Sequence, residues 1–260
     1  MSEAGIILLI TFVAGAFTLL GAAVVFFTRQ ISSTAMALVL SFASGAMIYI
    51  SFMELLPESL NLIAEERGDG LAHVFLLGAF VFGALCAAVI DYFIPQQHEV
   101  GVVDGSPPAT EKMARAGMFI FIAIVVHNLP EGLGIFAAAS ADINFGLTVA
   151  LAMAIHNVPE GMVVAITTYK DGRRAKPILY TAVAGLAQPL GALLGILLLQ
   201  PFLTGTVLGV VNATVAGIMV YISLDALLPM AKAHDEAHHA IAGFFLGFIF
   251  VAAASLLFAF

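Results

Sequence analysis

Charged side chains are scarce in this chain of 260 residues. Asp, Glu, Lys and Arg make up 10% of it, whereas 62% is hydrophobic and the mean hydropathy is +1.08. A soluble domain must cover its surface with polar side chains, and this composition does not provide them. The sequence therefore excludes a soluble globular protein and predicts a membrane protein.

Cysteine is nearly absent as well. Cys86 is the single cysteine, so no disulfide forms within one chain and a disulfide-stapled domain is excluded. The formal net charge of −8 argues against nucleic acid as a partner. The sequence also lacks a glycine-rich loop ending in Lys-Ser or Lys-Thr, the pattern that cradles nucleotide phosphates, which argues against a nucleotide-driven machine.

Long apolar runs fill almost the whole chain. The hydrocarbon core of a bilayer is about 30 Å thick and takes about 20 apolar residues per helix. Eight runs of this length lie at about 4–27, 34–57, 72–94, 116–139, 145–168, 178–200, 206–229 and 238–260. The sequence predicts an all-α polytopic membrane protein with eight transmembrane helices in a single domain, 1–260. The longest connection, about 95–115, is expected to be a flexible cytoplasmic loop.

Lysine and arginine are concentrated in alternate connections. With the N-terminus outside, eight of them fall on the inner side, and one, Arg67, on the outer side. The eight are Arg29, Lys112, Arg115, Lys170, Arg173, Arg174, Lys176 and Lys232. Because positive residues mark cytoplasmic loops, both termini are predicted outside the cell membrane. The outer side instead carries carboxylates that attract cations: Glu3, Glu58, Glu65, Glu66, Asp69 and Asp142.

Two internal repeats indicate inverted symmetry. Residues 127–132 match residues 156–161 at five of six positions, and both read His-Asn-x-Pro-Glu-Gly. Residues 45–57 match residues 217–229 at eight positions with a constant offset. The first pair lies in spans four and five, the second in spans two and seven, and the two members of each pair cross the membrane in opposite directions. Inverted repeats are typical of transporters whose binding site lies near the bilayer midplane.

The first repeat places ionisable groups deep in the membrane. His127 and Glu131 are four residues apart and share a helix face, and so do His156 and Glu160. Each histidine lies about 11 residues, or about 16 Å, into its span, which is near the bilayer centre. Ionisable groups at that depth are unfavourable unless they are paired or bind a cation.

The same repeat also supplies two amides, from Asn128 and Asn157. Two imidazoles, two carboxylates and two amides form a mixed nitrogen and oxygen ligand set that suits zinc, iron, manganese, cobalt or nickel. A polar latch between two helices is the alternative, but a latch needs neither the His–Glu spacing nor its duplication. The sequence therefore predicts a metal site between spans four and five, which holds one ion or two that share carboxylates.

Four further polar residues within the spans are weaker candidates. Gln188 lies at the depth of the two histidines and either completes the metal shell or forms interhelical hydrogen bonds. Glu54, near the outer end of span two, and Asp225, near the inner end of span seven, lie at opposite mouths, which suggests gate or relay roles. The alternative for each is a pairing or interface charge. Asp91, at the inner end of span three, is a candidate to accept metal at the exit.

The doubled His-Asn-x-Pro-Glu-Gly motif, the eight helices and the external termini resemble the ZIP (Zrt/Irt-like) metal transporters, in particular their short ZupT-like and GufA-like branch. The resemblance covers essentially the whole chain. It implies uptake of divalent metal toward the cytoplasm, chiefly zinc and often iron, manganese or cobalt, by a two-site metal centre. By this match His127, Glu131, His156 and Glu160 form one site, and Asn128, Glu131, Asn157 and Glu160 form the other.

The chain departs from the pattern of this family at one position. Many members have Glu in a Gly-Leu-x-Glu pattern in span six, where this chain has Gln188 after Gly185, Leu186 and Ala187. A neutral side chain there weakens the second site, so the expectation of two bound ions depends on this position.

The predicted function is uptake of divalent metal, with no prosthetic group. An intramembrane metalloenzyme is the alternative, since buried His/Glu sets also catalyse hydrolysis or oxidation. An enzyme needs an open coordination position and a substrate cleft, whereas a carrier needs a path to both faces. The inverted repeats and the acidic outer face favour the carrier. The expected partners are the transported cation and the lipid bilayer, and a homodimer is one oligomeric state that the sequence allows.

Overall fold

A computed structural model describes residues 2–27, 32–93, 110–169, 174–234 and 237–258. In these ranges the chain is helical and contains no strand. The α-helices are α1 (Glu3–Phe27), α2 (Ser33–Tyr49), α3 (Leu56–Arg67), α4 (Asp69–Phe93), α5 (Thr110–Ala141), α6 (Ile143–Thr168), α7 (Ala175–Leu198), α8 (Gly205–Ile222), α9 (Leu228–His234) and α10 (Ala237–Phe258). Short π-helical segments, Ile50–Leu55 and Ser223–Leu227, join α2 to α3 and α8 to α9.

Eight helical stretches of the described chain are long and apolar enough to cross a membrane. They are α1, α2 with α3, α4, α5, α6, α7, α8 with α9, and α10. Large apolar side chains cover the outside of α4 and α10; Phe82 is 61% exposed and Ile249 60%. Such a surface is stable in hydrocarbon and not in water. The predicted all-α polytopic fold with eight transmembrane helices is confirmed.

Three helix boundaries differ from the sequence prediction. Spans two and seven, predicted to end near residues 57 and 229, continue as helix to Arg67 and His234. The reason is that Pro57 and Pro229 lie in the first turn of α3 and α9, directly after the π-helical segments, where the change of hydrogen-bond register lets the helix continue past a proline. Helix α5 begins at Thr110, inside the segment predicted as a loop, and residues 95–109 of that segment lie outside the described residues.

The second repeat folds into matching irregular turns. In the first π-helical segment, the N–H of Leu56 donates to the carbonyl of Ser51, five residues earlier. In the second, the N–H of Leu228 donates to the carbonyl of Ser223. Leu228 and Ser223 are the equivalents of Leu56 and Ser51 in the second repeat. Single π-helical turns of this kind widen a helix and are frequent at functional sites.

Helix packing follows the same inverted symmetry. A Cβ added at Gly45 of α2 would overlap the carbonyl oxygen of Phe244 in α10, and one added at Gly217 of α8 would overlap that of Phe80 in α4. Gly45 and Gly217 are equivalent positions of the second repeat. Since glycine lets two backbones touch, α2 meets α10 as α8 meets α4. The repeats therefore relate α4 to α10 as well.

The helices form two groups that meet at the centre of the molecule. Helices α1, α5, α6 and α7 pack together, and the other six form the second group. Buried apolar side chains, among them Met47, Ile50, Met153 and Val215, belong to one continuous core. We call the two ends of the bundle the Glu3 end, where α5 turns into α6, and the Arg174 end, where α7 begins.

Candidate metal centre

The doubled motif lies in the neighbouring helices α5 and α6, and its ionisable groups are buried. His127 and Glu131 are 7% and 1% exposed, and His156 and Glu160 are 0% and 1% exposed. The four-residue spacing puts both groups of each helix on one face, and the packing of α5 on α6 turns the two faces toward each other. The predicted convergence of these side chains is therefore present in the structure.

Each histidine contacts the glutamate of the other helix. His127 Nε2 lies 3.1 Å from Glu160 Oε1, and His156 Nε2 lies 3.1 Å from Glu131 Oε1. The two contacts are equivalent under the first repeat. Burial removes each carboxylate from water, and the crossed pairing with histidine compensates for the hydration that is lost.

Three of these side chains form a set that can hold a cation. One ligand atom each of His127, Glu131 and Glu160 lies within 4.8 Å of the others. Zinc–ligand bonds are about 2.0–2.2 Å long for nitrogen and oxygen, so the three atoms surround a point that one divalent ion can reach after small side-chain movements. One imidazole and two carboxylates also provide the two negative charges that neutralise such an ion.

The two motif asparagines fix the helices that surround the centre. Asn128 Nδ2 donates to the carbonyl of Ala184 in α7 at 2.8 Å, and Asn157 Nδ2 donates to the carbonyl of Ala14 in α1 at 2.8 Å. Both amides are fully buried. Each asparagine therefore uses its nitrogen to hold a neighbouring helix. The oxygen of Asn157 lies 3.3 Å from Gln188 Nε2, whereas the oxygen of Asn128 has no hydrogen-bond partner among the described residues.

Gln188 of α7 contacts the centre through its amide nitrogen. Its Nε2 donates to Glu131 Oε2 at 2.8 Å, and its Oε1 accepts from Asn157 Nδ2 at 3.0 Å. Of the two alternatives that the sequence left open for Gln188, the structure contains the interhelical hydrogen bonds. A carboxylate accepts hydrogen bonds only, so the amide presents its N–H group to Glu131.

A cavity of about 90 Å³ extends from the centre toward the Arg174 end of the bundle. Its polar lining consists of Asp91, His127, Glu160, Tyr221 and Asp225, and the remaining lining is apolar or small. Two sequence candidates, Asp91 and Asp225, thus share one cavity with the metal centre. Tyr221, which hydrogen-bonds to Asp225, was missed by sequence reasoning. Its recurrence in the second repeat was the available signal.

Glu54 lies in different surroundings. Its carboxylate hydrogen-bonds to Ser255 of α10 and interacts with Tyr49. It does not line the cavity that holds Asp225. Although the two acids occupy neighbouring positions of the repeat, in this structure Asp225 lies beside the metal centre and Glu54 lies between α2 and α10.

Comparison with known proteins agrees with these observations. The sequence profile of the ZIP zinc transporter family matches residues 95–255. The relatives of this chain include three proteins named zinc transporter ZupT. That of Nitratidesulfovibrio vulgaris is 42% identical, over 96% of this chain and 95% of the relative. That of Streptococcus mutans is 37% identical, over 96% of both chains. That of Chlorobium luteolum is 40% identical, over 99% of both chains.

These matches indicate a transporter and not an enzyme, so the metalloenzyme alternative is set aside. With its doubled motif, eight apolar spans and these matches, the chain belongs to the ZIP zinc transporter family.

Proposed function

We propose that this chain takes up zinc, and with it iron, manganese and cobalt, across the cell membrane into the cytoplasm. The observation that carries the proposal is the crossed, buried pairing of two histidines with two glutamates at membrane depth. The whole chain, 1–260, acts as one transporter domain. The proposed ligand set comprises His127, Asn128, Glu131, His156, Asn157 and Glu160, and Gln188 supports Glu131.

The charges of the centre favour one ion at a time. One divalent cation and the carboxylates of Glu131 and Glu160 give a neutral cluster. A second ion would leave four positive charges against two negative ones in a low-dielectric bundle, where the repulsion is strong. Gln188 adds no charge, and its amide already donates to Glu131 and accepts from Asn157.

The cavity supplies the path on one side of the centre. His127 and Glu160 line it at one end, and Asp91 and Asp225 line it further on. We assign these two acids to the exit, where their carboxylates receive the cation. The gate role of Glu54 and the homodimer stay predictions.

The direction of transport follows from the membrane potential. Moving one elementary charge across 100 mV is worth about 2.3 kcal/mol, so a divalent cation entering a cell that is negative inside gains about 4.6 kcal/mol. Acidic side chains at the Glu3 end raise the local concentration of cations before they bind. Uptake then needs no nucleotide.

Uptake of radiolabelled zinc into proteoliposomes tests the proposed function. We expect zinc to accumulate faster than in empty liposomes, faster still with a negative interior, and to be displaced by unlabelled iron, manganese and cobalt. Calcium serves as the control competitor, because it prefers an all-oxygen shell and does not favour imidazole. Purified protein that binds zinc without moving it would contradict transport.

The orientation of the chain is tested by thiol labelling. We propose that both termini lie outside and that the segments 95–115 and 169–177, which include the starts of α5 and α7, are cytoplasmic. With Cys86 removed, cysteines placed at Ser106 and Asp171 are expected to resist an impermeant thiol reagent applied to intact cells, and to react after the cells are permeabilised. A cysteine at Ser2, at the Glu3 end, is the matched control and should react at once. Ready labelling of both positions in intact cells would show that the chain has the opposite orientation, with both termini inside.

A further inference from the structure

Helices α1 and α7 are related by the same internal symmetry as α5 and α6. Asn128 of α5 binds the carbonyl of Ala184, and its repeat partner Asn157 of α6 binds that of Ala14, so positions in α1 and α7 correspond with an offset of 170. A Cβ added at Gly15 would overlap the carbonyl oxygen of Gly185, and one added at Gly185 would overlap that of Gly15. This reciprocal contact places the symmetry axis between α1 and α7.

The offset pairs Thr18 of α1 with Gln188 of α7. Two distances agree with the pairing. A Cβ at Gly185 would lie 3.3 Å from Thr18 Oγ1, and a Cβ at Gly15 would lie 3.5 Å from Gln188 Oε1. Thr18 therefore occupies, on the α1 side of the metal centre, the position that Gln188 occupies on the α7 side.

The two sides of the centre differ in their hydrogen bonding. On the α7 side, Glu131 accepts from Gln188, and the oxygen of Asn157 lies 3.3 Å from the same amide nitrogen. On the α1 side, Glu160 has its contact with His127, and beyond it neither carboxylate oxygen accepts a hydrogen bond from the described residues. Asn128 Oδ1 likewise has no partner among them.

Thr18 has an unused hydroxyl on that side. Its Oγ1 is buried, with no hydrogen-bond partner in the described part of the chain. A helical threonine usually donates to the carbonyl four residues earlier, as Thr11 does to Ile7 at 2.8 Å. For Thr18 that carbonyl belongs to Ala14 and receives Asn157 Nδ2 instead. Buried polar groups left unpaired are costly. Thr18 Oγ1, Asn128 Oδ1 and Glu160 Oε2 are three such oxygens on one side of the candidate cation site, and together they indicate a bound species.

We propose that Thr18 is a positioning residue of the metal centre, which holds a water molecule that the transported cation keeps. This inference rests on the proposed function. Of the proposed ligand set, His127, Glu131 and Glu160 bind the ion directly in this arrangement, and a four-coordinate zinc ion takes a water as its fourth ligand. Asn128 then binds the ion through that water. The two hydrogens of that water bind Asn128 Oδ1 and Thr18 Oγ1, and the hydroxyl proton of Thr18 is directed to Glu160. A threonine side chain is shorter than glutamine, which leaves the space that the water fills.

Zinc affinity and cobalt absorption spectra of purified variants test the inference. Thr18→Val keeps the shape of the side chain and removes the hydroxyl, and we expect it to weaken zinc binding about tenfold, as loss of a group that orients a metal ligand does. We also expect it to change the cobalt spectrum, which reports coordination geometry. Thr18→Ser should restore both. Thr11→Val is the matched control, because it removes a buried hydroxyl of α1 that binds its own helix.

Several outcomes would overturn the inference. Thr18→Val that matches the wild type in affinity and spectrum excludes a role at the centre, and equal losses in Thr18→Val and Thr11→Val indicate a packing effect only. Should Thr18→Val fail to accumulate, Thr18→Ala answers the same question with a smaller side chain. Full zinc affinity in Glu160→Ala would refute the proposed function itself, whereas loss in Glu160→Ala with none in Thr18→Val refutes only the role of Thr18.

Discussion

Alanine at Glu131 or Glu160 is expected to reduce zinc uptake to the background of empty liposomes. Each carboxylate belongs to the set that can hold a cation and also contacts the histidine of the other helix. Removing one leaves a single negative charge against a divalent cation at the membrane centre, where an unneutralised charge costs at least about 3 kcal/mol. That cost alone corresponds to a loss of more than about a hundredfold in occupancy. Initial rates of radiolabelled zinc uptake, normalised to protein in the membrane, measure the effect.

An exposed carboxylate provides the matched control. Glu65 lies on α3 at the Glu3 end, away from the centre, and Glu65→Ala is expected to transport at close to the wild-type rate. Wild-type uptake by Glu131→Ala or Glu160→Ala would show that these residues do not bind the cargo.

Gln188→Ala belongs to the same series and is expected to have a smaller effect than Glu160→Ala. It removes an uncharged donor that hydrogen-bonds to the Glu131 carboxylate, and it removes no charge. A hydrogen bond to a charged group is worth about 1.5–3 kcal/mol, and part of it is recovered if water enters the space. If Gln188→Ala and Glu160→Ala reduce uptake equally, Gln188 is a direct ligand and not a support for Glu131.

Gly132→Ala is expected to abolish transport and lower the melting temperature, although alanine favours a helix by about 1 kcal/mol over glycine. A Cβ at Gly132 of α5 would overlap the carbonyl oxygen of Gln188 in α7. The two backbones must then separate, which breaks the hydrogen bond from Gln188 to Glu131 and the one from Asn128 to Ala184. Overpacking of this kind costs about 1–3 kcal/mol, and the larger loss is in the geometry of the centre. Uptake rates and thermal unfolding in detergent check the expectation.

The lipid-facing glycine of α4 is the control for helix propensity. A Cβ added at Gly78 meets no atom within 4 Å. Gly78→Ala should therefore transport like the wild type and melt at the same or a slightly higher temperature. A Gly132→Ala protein as active and stable as Gly78→Ala would mean that α5 and α7 move apart without cost.

The sequence by itself determined the class of the fold and which ionisable side chains converge inside it. Eight apolar runs specify eight spans, because the bilayer sets the length of a helix that crosses it. The four-residue spacing within His127–Glu131 and within His156–Glu160 puts each pair on one helix face whatever the helix packs against. The duplication of that motif in oppositely directed spans then brings the two faces to the same depth.

Only the tertiary structure decided how these groups are paired and which further residues reach them. Each histidine meets the glutamate of the other helix, and Gln188 presents its nitrogen to Glu131 while its oxygen accepts from Asn157. Asp225 lines a cavity that it shares with the centre, whereas the carboxylate of Glu54 hydrogen-bonds to Ser255. Helical periodicity fixes the direction of a side chain relative to its own axis and contains no information about the rotation and distance of the next helix. Those are set by backbone contacts such as that of Gly15 with Gly185, where the absence of side chains lets α1 and α7 touch.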